Sequence, residues 1–387
     1  MRKITFLLLT AILFISNKTK AQDEITIKDR TITTAVPFLL ISGDARASGM
    51  ADQGVATPVD AYSQQWNPAK YVFSEKQQGV GISYVPYLRE LANDINVGQV
   101  NYFNRINERS AFAASLRYFN LGEIEARDTP DQEALLLKPN QLSFDLTYAL
   151  RLSEQFSMAV TGRYIRSDLQ LQTSNEDASA ANSFGVDVSA FYQSEEIAYS
   201  DFNGRWRGGI NISNIGPKIK YDDAGQESFI PTNFKAGAGF DFILDAANTV
   251  GVYGEINKLL VPTPSDSNDD GRIDREDDWY NESPFGAIFS SWGDAPDGFS
   301  EELKEITWAL GAEYRYEDSF AFRLGYFNES DVKGFRKFLS LGAGFKYSVI
   351  NIDASYLFST AKKTTNPLEG SLRFSLSFNF GEEYTEY

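Results

Sequence analysis

The stretch that decides the fold is Ser371–Phe380, SLRFSLSFNF. In it Leu372, Phe374, Leu376, Phe378 and Phe380 alternate with Ser371, Arg373, Ser375, Ser377 and Asn379. A pleated strand sends successive side chains to opposite faces, so this segment has one face of hydrocarbon and one that tolerates water and charge. A closed barrel in a membrane needs such strands, apolar toward lipid and polar toward the lumen.

Working back from this strand, the same alternation recurs at 80–86, 95–103, 110–119, 141–150, 156–166, 182–193, 205–213, 233–242, 249–257, 306–316, 320–327, 338–347 and 350–358. The cleanest copy is QLSFDLTYAL, where Leu142, Phe144, Leu146, Tyr148 and Leu150 share a face and Asp145 lies on the other. With the last segment this predicts an all-β, 14-stranded antiparallel transmembrane barrel of the outer membrane over 80–380. The connections provide an independent test. Longer ones at 87–94, 120–140, 167–181, 214–232, 258–305, 328–337 and 359–370 alternate with shorter ones at 104–109, 151–155, 194–204, 243–248, 317–319 and 348–349. Outer-membrane barrels sort their loops in this way, long outside and short on the periplasmic side, whereas a soluble sandwich has no reason to.

Composition agrees. Aromatic residues make up 14% of the 387-residue chain, enough for girdles at both membrane interfaces. Mean hydropathy is −0.32, and no apolar run past the N-terminus reaches the length of a spanning helix. Cysteine and histidine are both absent, which removes disulfides, thiolate metal sites, cysteine nucleophiles, Ser-His-Asp triads and His-ligated metals. An enzyme would need a carboxylate pair or a Ser-Lys arrangement. The net charge of −17 argues against a nucleic-acid partner.

Residues 1–21 read as a secretory signal. Arg2 and Lys3 precede the apolar run Ile4–Ile15, and Thr19-Lys20-Ala21 supplies small residues for cleavage before Gln22. Export together with the barrel pattern points to an outer membrane. Residues 22–79 are not strand-like. They carry small residues and turn signals, SGDARASGM at 42–50 and WNPA at 66–69. Phe38, Leu39, Leu40, Met50, Trp66, Tyr71 and Phe73 need somewhere to bury, so the segment is expected to fold into the lumen as a plug rather than hang as a periplasmic tail. Gly237, Gly239, Gly342 and Gly344 fall on inward positions, where they thin the wall for a packed backbone.

The outlying loop, 258–305, is long enough to be functional. DSNDDGRIDRED at 266–277 follows the twelve-position calcium template, with glycine at the sixth place and an aliphatic residue at the eighth. On that template Asp266, Asn268 and Asp270 are direct ligands and Arg272 offers its carbonyl. Asp274 acts through water, and Asp277 stands where glutamate is usual, as in the aspartate-ended loops of dockerins. No flanking helices are evident, and a solvated acidic loop is the alternative. Beyond it the loop turns apolar. Leu259, Leu260, Phe285, Ile288, Phe289, Trp292 and Phe299 either fold back as a lid or form a contact patch for another protein.

GDARASGMADQGVA followed by WNPA resembles the N-terminal region of FadL-type barrels. TITTAVPFLLISGDARASGMAD, QQWNPAKYVFSEK, SLRYFNLGEI, RYIRSDL, INISNIGPKI, IPTNFKAG, NKLLVPTP, WGDAP and NPLEGSLRFSLSF resemble the PorV-type outer-membrane components of the type IX secretion system, over essentially the whole mature chain. The resemblance implies a partner rather than a substrate. Such proteins associate with the giant translocon barrel, take up cargo bearing a C-terminal signal domain, and deliver it to a surface attachment complex containing a sortase-like peptidase. Outer-membrane lipid surrounds them. The resemblance carries no catalytic residue, and although the family has been linked to lipid A deacylation, no esterase site is recognisable here. A passive channel for hydrophobic small molecules, as the FadL-type fold suggests, is the alternative. The tail 381–387 leaves open whether the insertion signal ends at Phe380 or Tyr387.

Overall fold

A computed structural model describes residues 30–89, 92–127, 133–169, 179–221, 227–268, 270, 272–274, 276–361 and 369–384. The signal 1–21, the start at Gln22, and Asp269, Gly271 and Arg275 of the acidic loop lie outside the described residues.

Each alternating segment forms a strand. They are β1 (Lys76–Pro86), β2 (Asn96–Arg105), β3 (Ser110–Asn120), β4 (Asn140–Arg151), β5 (Phe156–Asp168), β6 (Ala181–Gln193) and β7 (Asn203–Ile215). Then come β8 (Asn233–Ile243), β9 (Asn248–Leu259), β10 (Thr307–Tyr316), β11 (Phe320–Asn328), β12 (Lys337–Tyr347), β13 (Ile350–Ser359) and β14 (Leu372–Glu383). Every strand pairs antiparallel with its sequence neighbours, and β1 closes the ring on β14 with Ile82 opposite Leu376. Closure leaves no unpaired edge, as a lipid environment requires.

The ends of the barrel differ slightly from expectation. β1 begins at Lys76, before the alternation becomes regular, because Gln78 and Gly79 still pair with β14. β14 runs through Gly381 to Glu383, so the tail is strand rather than a separate segment to that point, with Lys76 opposite Glu383. Tyr384 then donates its amide to the Glu75 carbonyl, and its ring lies 3.8 Å from the Arg105 guanidinium carbon.

Burial follows the pleat. On β14, Arg373, Ser375 and Ser377 are buried, as is Ser371 just before it, while Leu372 and Phe374 are exposed. The outward aromatics form two bands. Tyr84, Tyr118, Tyr164, Phe184, Trp308 and Tyr326 lie toward the long loops, and Trp206, Tyr314, Tyr316, Phe320, Phe345 and Tyr347 toward the short turns. These are the interfacial girdles of a membrane barrel, and the protein is an outer-membrane β-barrel.

Candidate functional site

The inward face of the barrel is polar, and residues 30–74 pack against it. Asp44 caps the short helix Ala45–Gly49 by accepting from the Ala47 amide at 2.7 Å, and its second oxygen accepts from Trp66 Nε1 at 2.7 Å. Asp caps such a helix because its carboxylate satisfies an amide that has no partner in the first turn. Burial first, then the nearby Asp60 carboxylate, pushes the Asp44 pKa up to about 6.

Wall side chains satisfy the rest of this segment. Glu255 accepts from the amides of Gly54 at 2.8 Å and Val55 at 2.9 Å, and Ser375 Oγ accepts from the Ala45 amide at 2.7 Å. Ser340 Oγ accepts from the Ala51 amide at 2.9 Å, while Asn211 donates to the Trp66 carbonyl at 2.9 Å. Arg46 makes a two-pronged bond to Glu313 at 3.1 and 3.0 Å. Glu313 also accepts from Arg323 Nε at 2.7 Å, and Arg323 reaches Asp353 at 2.6 Å. Arg373 binds Asp52 at 2.7 Å and Ser48. Charges withdrawn from water persist only when paired in this manner.

Glycines let the backbone come close. A Cβ on Gly342 would stand 2.9 Å from Gly49 Cα, and one on Gly325 would stand 2.8 Å from Ala51 Cβ. Of the four glycines expected to thin the wall, Gly237 and Gly342 face the N-terminal segment most closely. Gly239 is set mainly against the Tyr253 ring, and Gly344 against Asp353 and Arg323. Gly325 and Gly311, both close to Met50, escaped the sequence reading, although they occupy the same inward phase of their strands.

Residues 42–66 have a cavity on either side. Toward the loops lies one of about 440 Å³, lined by Leu40, Ile41, Tyr87, Leu259, Phe327 and Phe338 with Lys235, Arg336 and Arg373. Toward the turns lies one of about 260 Å³, lined by Arg46, Asp60, Arg207, Glu313 and Arg323.

Above the barrel, an ion network joins four parts of the chain. Lys258 at the end of β9 binds Glu302 at 2.6 Å and Glu305 at 2.7 Å. Lys333, between β11 and β12, binds Glu301 at 2.8 Å and Glu305 at 2.9 Å. Arg30 binds Glu301 at 2.7 Å and Asp297 at 3.2 Å. Thr263 donates its hydroxyl to Glu305 at 2.6 Å. Burial would raise the Glu305 pKa, but the bonds from Lys258, Lys333 and Thr263 hold it below the ordinary glutamate value. None of these residues stood out in the sequence, because the clasp joins positions that only tertiary folding brings together.

The apolar residues of the long loop separate into two groups. Phe285, Phe289, Trp292 and Phe299 are exposed, at 70, 72, 47 and 76%, and Ile288 is half-buried on the same short helix as the first two. Leu260 is buried, and Leu259 lines the larger cavity, so these two lie apart from the exposed group.

In the acidic stretch, the side chains bind their own backbone. Asp266 and Asn268 both accept from the Asp270 amide, Asp270 accepts from the Arg272 amide, and Asp274 from the Glu276 amide. Asp277 accepts from the Ser267 amide at 2.7 Å and the Asp274 amide at 2.8 Å. The Asp274 bond first, with help from Ser267, holds its pKa below the ordinary range. Among the described residues, the carboxylates that converge closely enough to hold a divalent ion are Asp294, Glu302 and Glu305, elsewhere in the same loop. There the Lys258 and Lys333 ammonium groups already supply positive charge.

The family described as type IX secretion system protein PorV matches residues 24–266. No curated protein matches the chain. Among solved structures, a deltaS2 mutant of the TodX monoaromatic hydrocarbon channel is 10% identical with a TM-score of 0.51, covering 88% of this chain and 100% of that one. The Pseudomonas putida toluene transporter TodX is 10% identical, with a TM-score of 0.49 over 87% of this chain and 98% of its own. A Pseudomonas aeruginosa FadL homologue is 14% identical, with a TM-score of 0.43 over 91% and 100%. The first of these shows the fold; the family match identifies the lineage. The chain belongs to the PorV family, outer-membrane barrels that serve the type IX secretion system in transport rather than catalysis.

Proposed function

We propose that this barrel is the cargo-handling component of its secretion system. It binds the translocon barrel, takes up secreted proteins carrying a C-terminal signal domain, and passes them to the attachment complex with its sortase-like peptidase. The observation that carries the reading is the loop between β9 and β10. It is clasped to the barrel by buried ion pairs and leaves Phe285, Phe289 and Phe299 uncovered. A positioned loop bearing several exposed aromatics is suited to protein contact, where a few large apolar side chains dominate binding. The N-terminal segment is, on this reading, a lumenal plug that keeps the barrel shut while its outer face does the work.

Two measurements test this. In a deletion strain, proteins sharing a C-terminal domain should vanish from the culture supernatant and the cell surface. A Phe289→Asp plus Trp292→Asp variant that folds should lose the translocon or cargo in pull-down, each buried anchor being worth about 2 kcal/mol or more. An unchanged supernatant proteome overturns the reading.

The cavity of about 440 Å³, with Leu40, Ile41, Leu259, Phe327 and Phe338 in its lining, favours a second reading as a passive channel for hydrophobic small molecules. That reading requires uptake of hydrocarbons or fatty acids to fall in the deletion strain while secretion is intact. We also infer weak calcium binding at 266–277. The ion must draw Asp277 from the Ser267 and Asp274 amides, so affinity should be roughly millimolar, as in extracellular modules. Calorimetry on the whole protein should show a calcium heat that Asp270→Asn removes; a flat titration of the parent rules the ion out.

A further inference from the structure

The long loop packs over the mouth, where Val261 meets Phe229 and Ile32, and part of it reaches the outer wall at a level that the strand register gives. Phe234 on β8 lies opposite Ile212 on β7 and Lys258 on β9, all in the outward phase. One step down the wall, Ile210, Ala236, Ile256 and Trp308 form the next outward row. Ile210, Ile256 and Trp308 are exposed there, and the Trp308 ring lies 5.6 Å from that of Tyr326 in the loop-side girdle. Two residues of strand span about 7 Å, so Phe234 sits just above the lipid-facing band.

Lys258 projects outward from this row, at the border of the lipid-facing band, where an unpaired lysine is costly. It is instead buried, because Glu302 and Glu305 fold over it. The loop therefore covers the rim of the barrel at this level, since Glu305 also binds Lys333 across the mouth. Trp292 packs edge-to-face on Phe234, with ring centroids 5.3 Å apart. Ala287 is buried against Phe229 and Val261, with Ile32 of the N-terminal segment beside them, which fixes the opposite side of the helix Pro284–Ser290 toward the mouth.

Phe285, Ile288, Phe289 and Trp292 follow the spacing i, i+3, i+4, i+7, one stripe of a helical turn. The stripe is continuous with the lipid band through Trp292 and Phe234. Between the loop-side aromatics Phe184 on β6 and Trp308 on β10, the strands themselves offer only Phe234 in that girdle, and Trp292 fills the place beside it. Tryptophan and phenylalanine favour this depth, with an apolar body in acyl chain and the indole N–H near the headgroups. The residues from Glu276 to Leu303 include no lysine or arginine, so anionic headgroups offer this segment no attraction.

We propose that 284–292 is an interfacial anchor. Phe285, Ile288, Phe289 and Trp292 are seated in the outer leaflet beside β8 and β9, with the acyl-chain surface of membrane lipid as their occupant. This inference does not depend on the secretion reading. A protein partner that uses the same side chains would have to displace lipid and approach in the plane of the membrane.

The chain has no cysteine, so single-cysteine labelling is clean. Phe285→Cys and Phe289→Cys, each spin-labelled in the full-length protein, would be placed in phosphatidylethanolamine–phosphatidylglycerol nanodiscs. Leu310→Cys on the lipid-facing wall and Asp331→Cys in an exposed loop serve as references. The expected result is relaxation by oxygen with loss of relaxation by a water-soluble nickel chelate, as at Leu310→Cys. Nickel access like that of Asp331→Cys overturns the proposal, and so does shielding from both reagents, which would mean a protein cover. An independent check leaves the aromatic stripe intact except at one ring. Quenching by brominated acyl chains should lose a component in Trp292→Phe, and equal quenching in both proteins overturns the anchor.

Discussion

Glu313 shows how single residues hold the lumen together. It lies at an inward position on β10, almost fully buried, and accepts from both Arg46 and Arg323. Glu313→Gln leaves two guanidinium groups without their shared countercharge, and breaking a buried pair by removing one partner costs about 3–5 kcal/mol. Residues 42–60 should become protease-sensitive while the barrel keeps its strand signature in circular dichroism. Asp44 gives a pH dependence at the same scale. Its folded pKa, about 6, exceeds its ordinary 3.8, so the folded state holds the proton more tightly than the unfolded chain. Stability of the segment should therefore rise as pH falls from 7 through about 6, and Asp44→Asn should flatten that rise in a proteolysis profile. Glu305 acts in the opposite sense. Its pKa is held below 4.5, so the stability it lends to the clasp is present above that value and is lost as pH falls through its lower folded pKa. Hydrogen exchange in 294–305 should speed up only below about that pH.

At the scale of elements, each strand is specified by its alternation, and the contacts between wall and segment are specified by small residues. The helix Ala45–Gly49 packs on β11 to β13, where Gly325 and Gly342 leave it room. Gly342→Val should push it away at about 1–3 kcal/mol, the usual cost of overpacking. Loss of exchange protection at the Ala51 amide, which donates to Ser340, would report the shift. Gly98, whose Cβ would meet nothing within 4 Å, is the matched control, and Gly98→Ala should leave the Ala51 amide protected. The strands were legible because period-two alternation survives in a chain that faces lipid on one side and water on the other. Their ends were less so, since Lys76–Gly79 and Gly381–Glu383 lie at the rim, where neither solvent imposes a pattern.

For the whole molecule, residues 42–66 stand between the two cavities. Deleting 30–74 should join them, and planar-bilayer recordings should then show an open conductance that the full chain lacks. Equal conductance in the two proteins would mean that the segment does not close the lumen. Deleting 264–304 should leave the barrel's heat-modifiable migration unchanged, because β9 and β10 pair directly from Asn248–Tyr316 to Asn257–Thr307.

The strand number, the antiparallel order, the gathering of longer connections at one end of the barrel and the family were all readable in the chain, because each is written in local periodicity and motif. The tertiary structure alone decided the rest. Arg46 could meet Glu313, and Lys258 could be covered by Glu302 and Glu305, only after the barrel had closed. The same holds for the aromatic residues of the long loop. The sequence marked them as apolar residues of a polar loop, but only the fold brings the Trp292 ring onto Phe234, a residue in the outward phase of β8. Periodicity records which face a residue prefers, whereas long-range ion pairs and loop placement depend on distances that no local pattern contains.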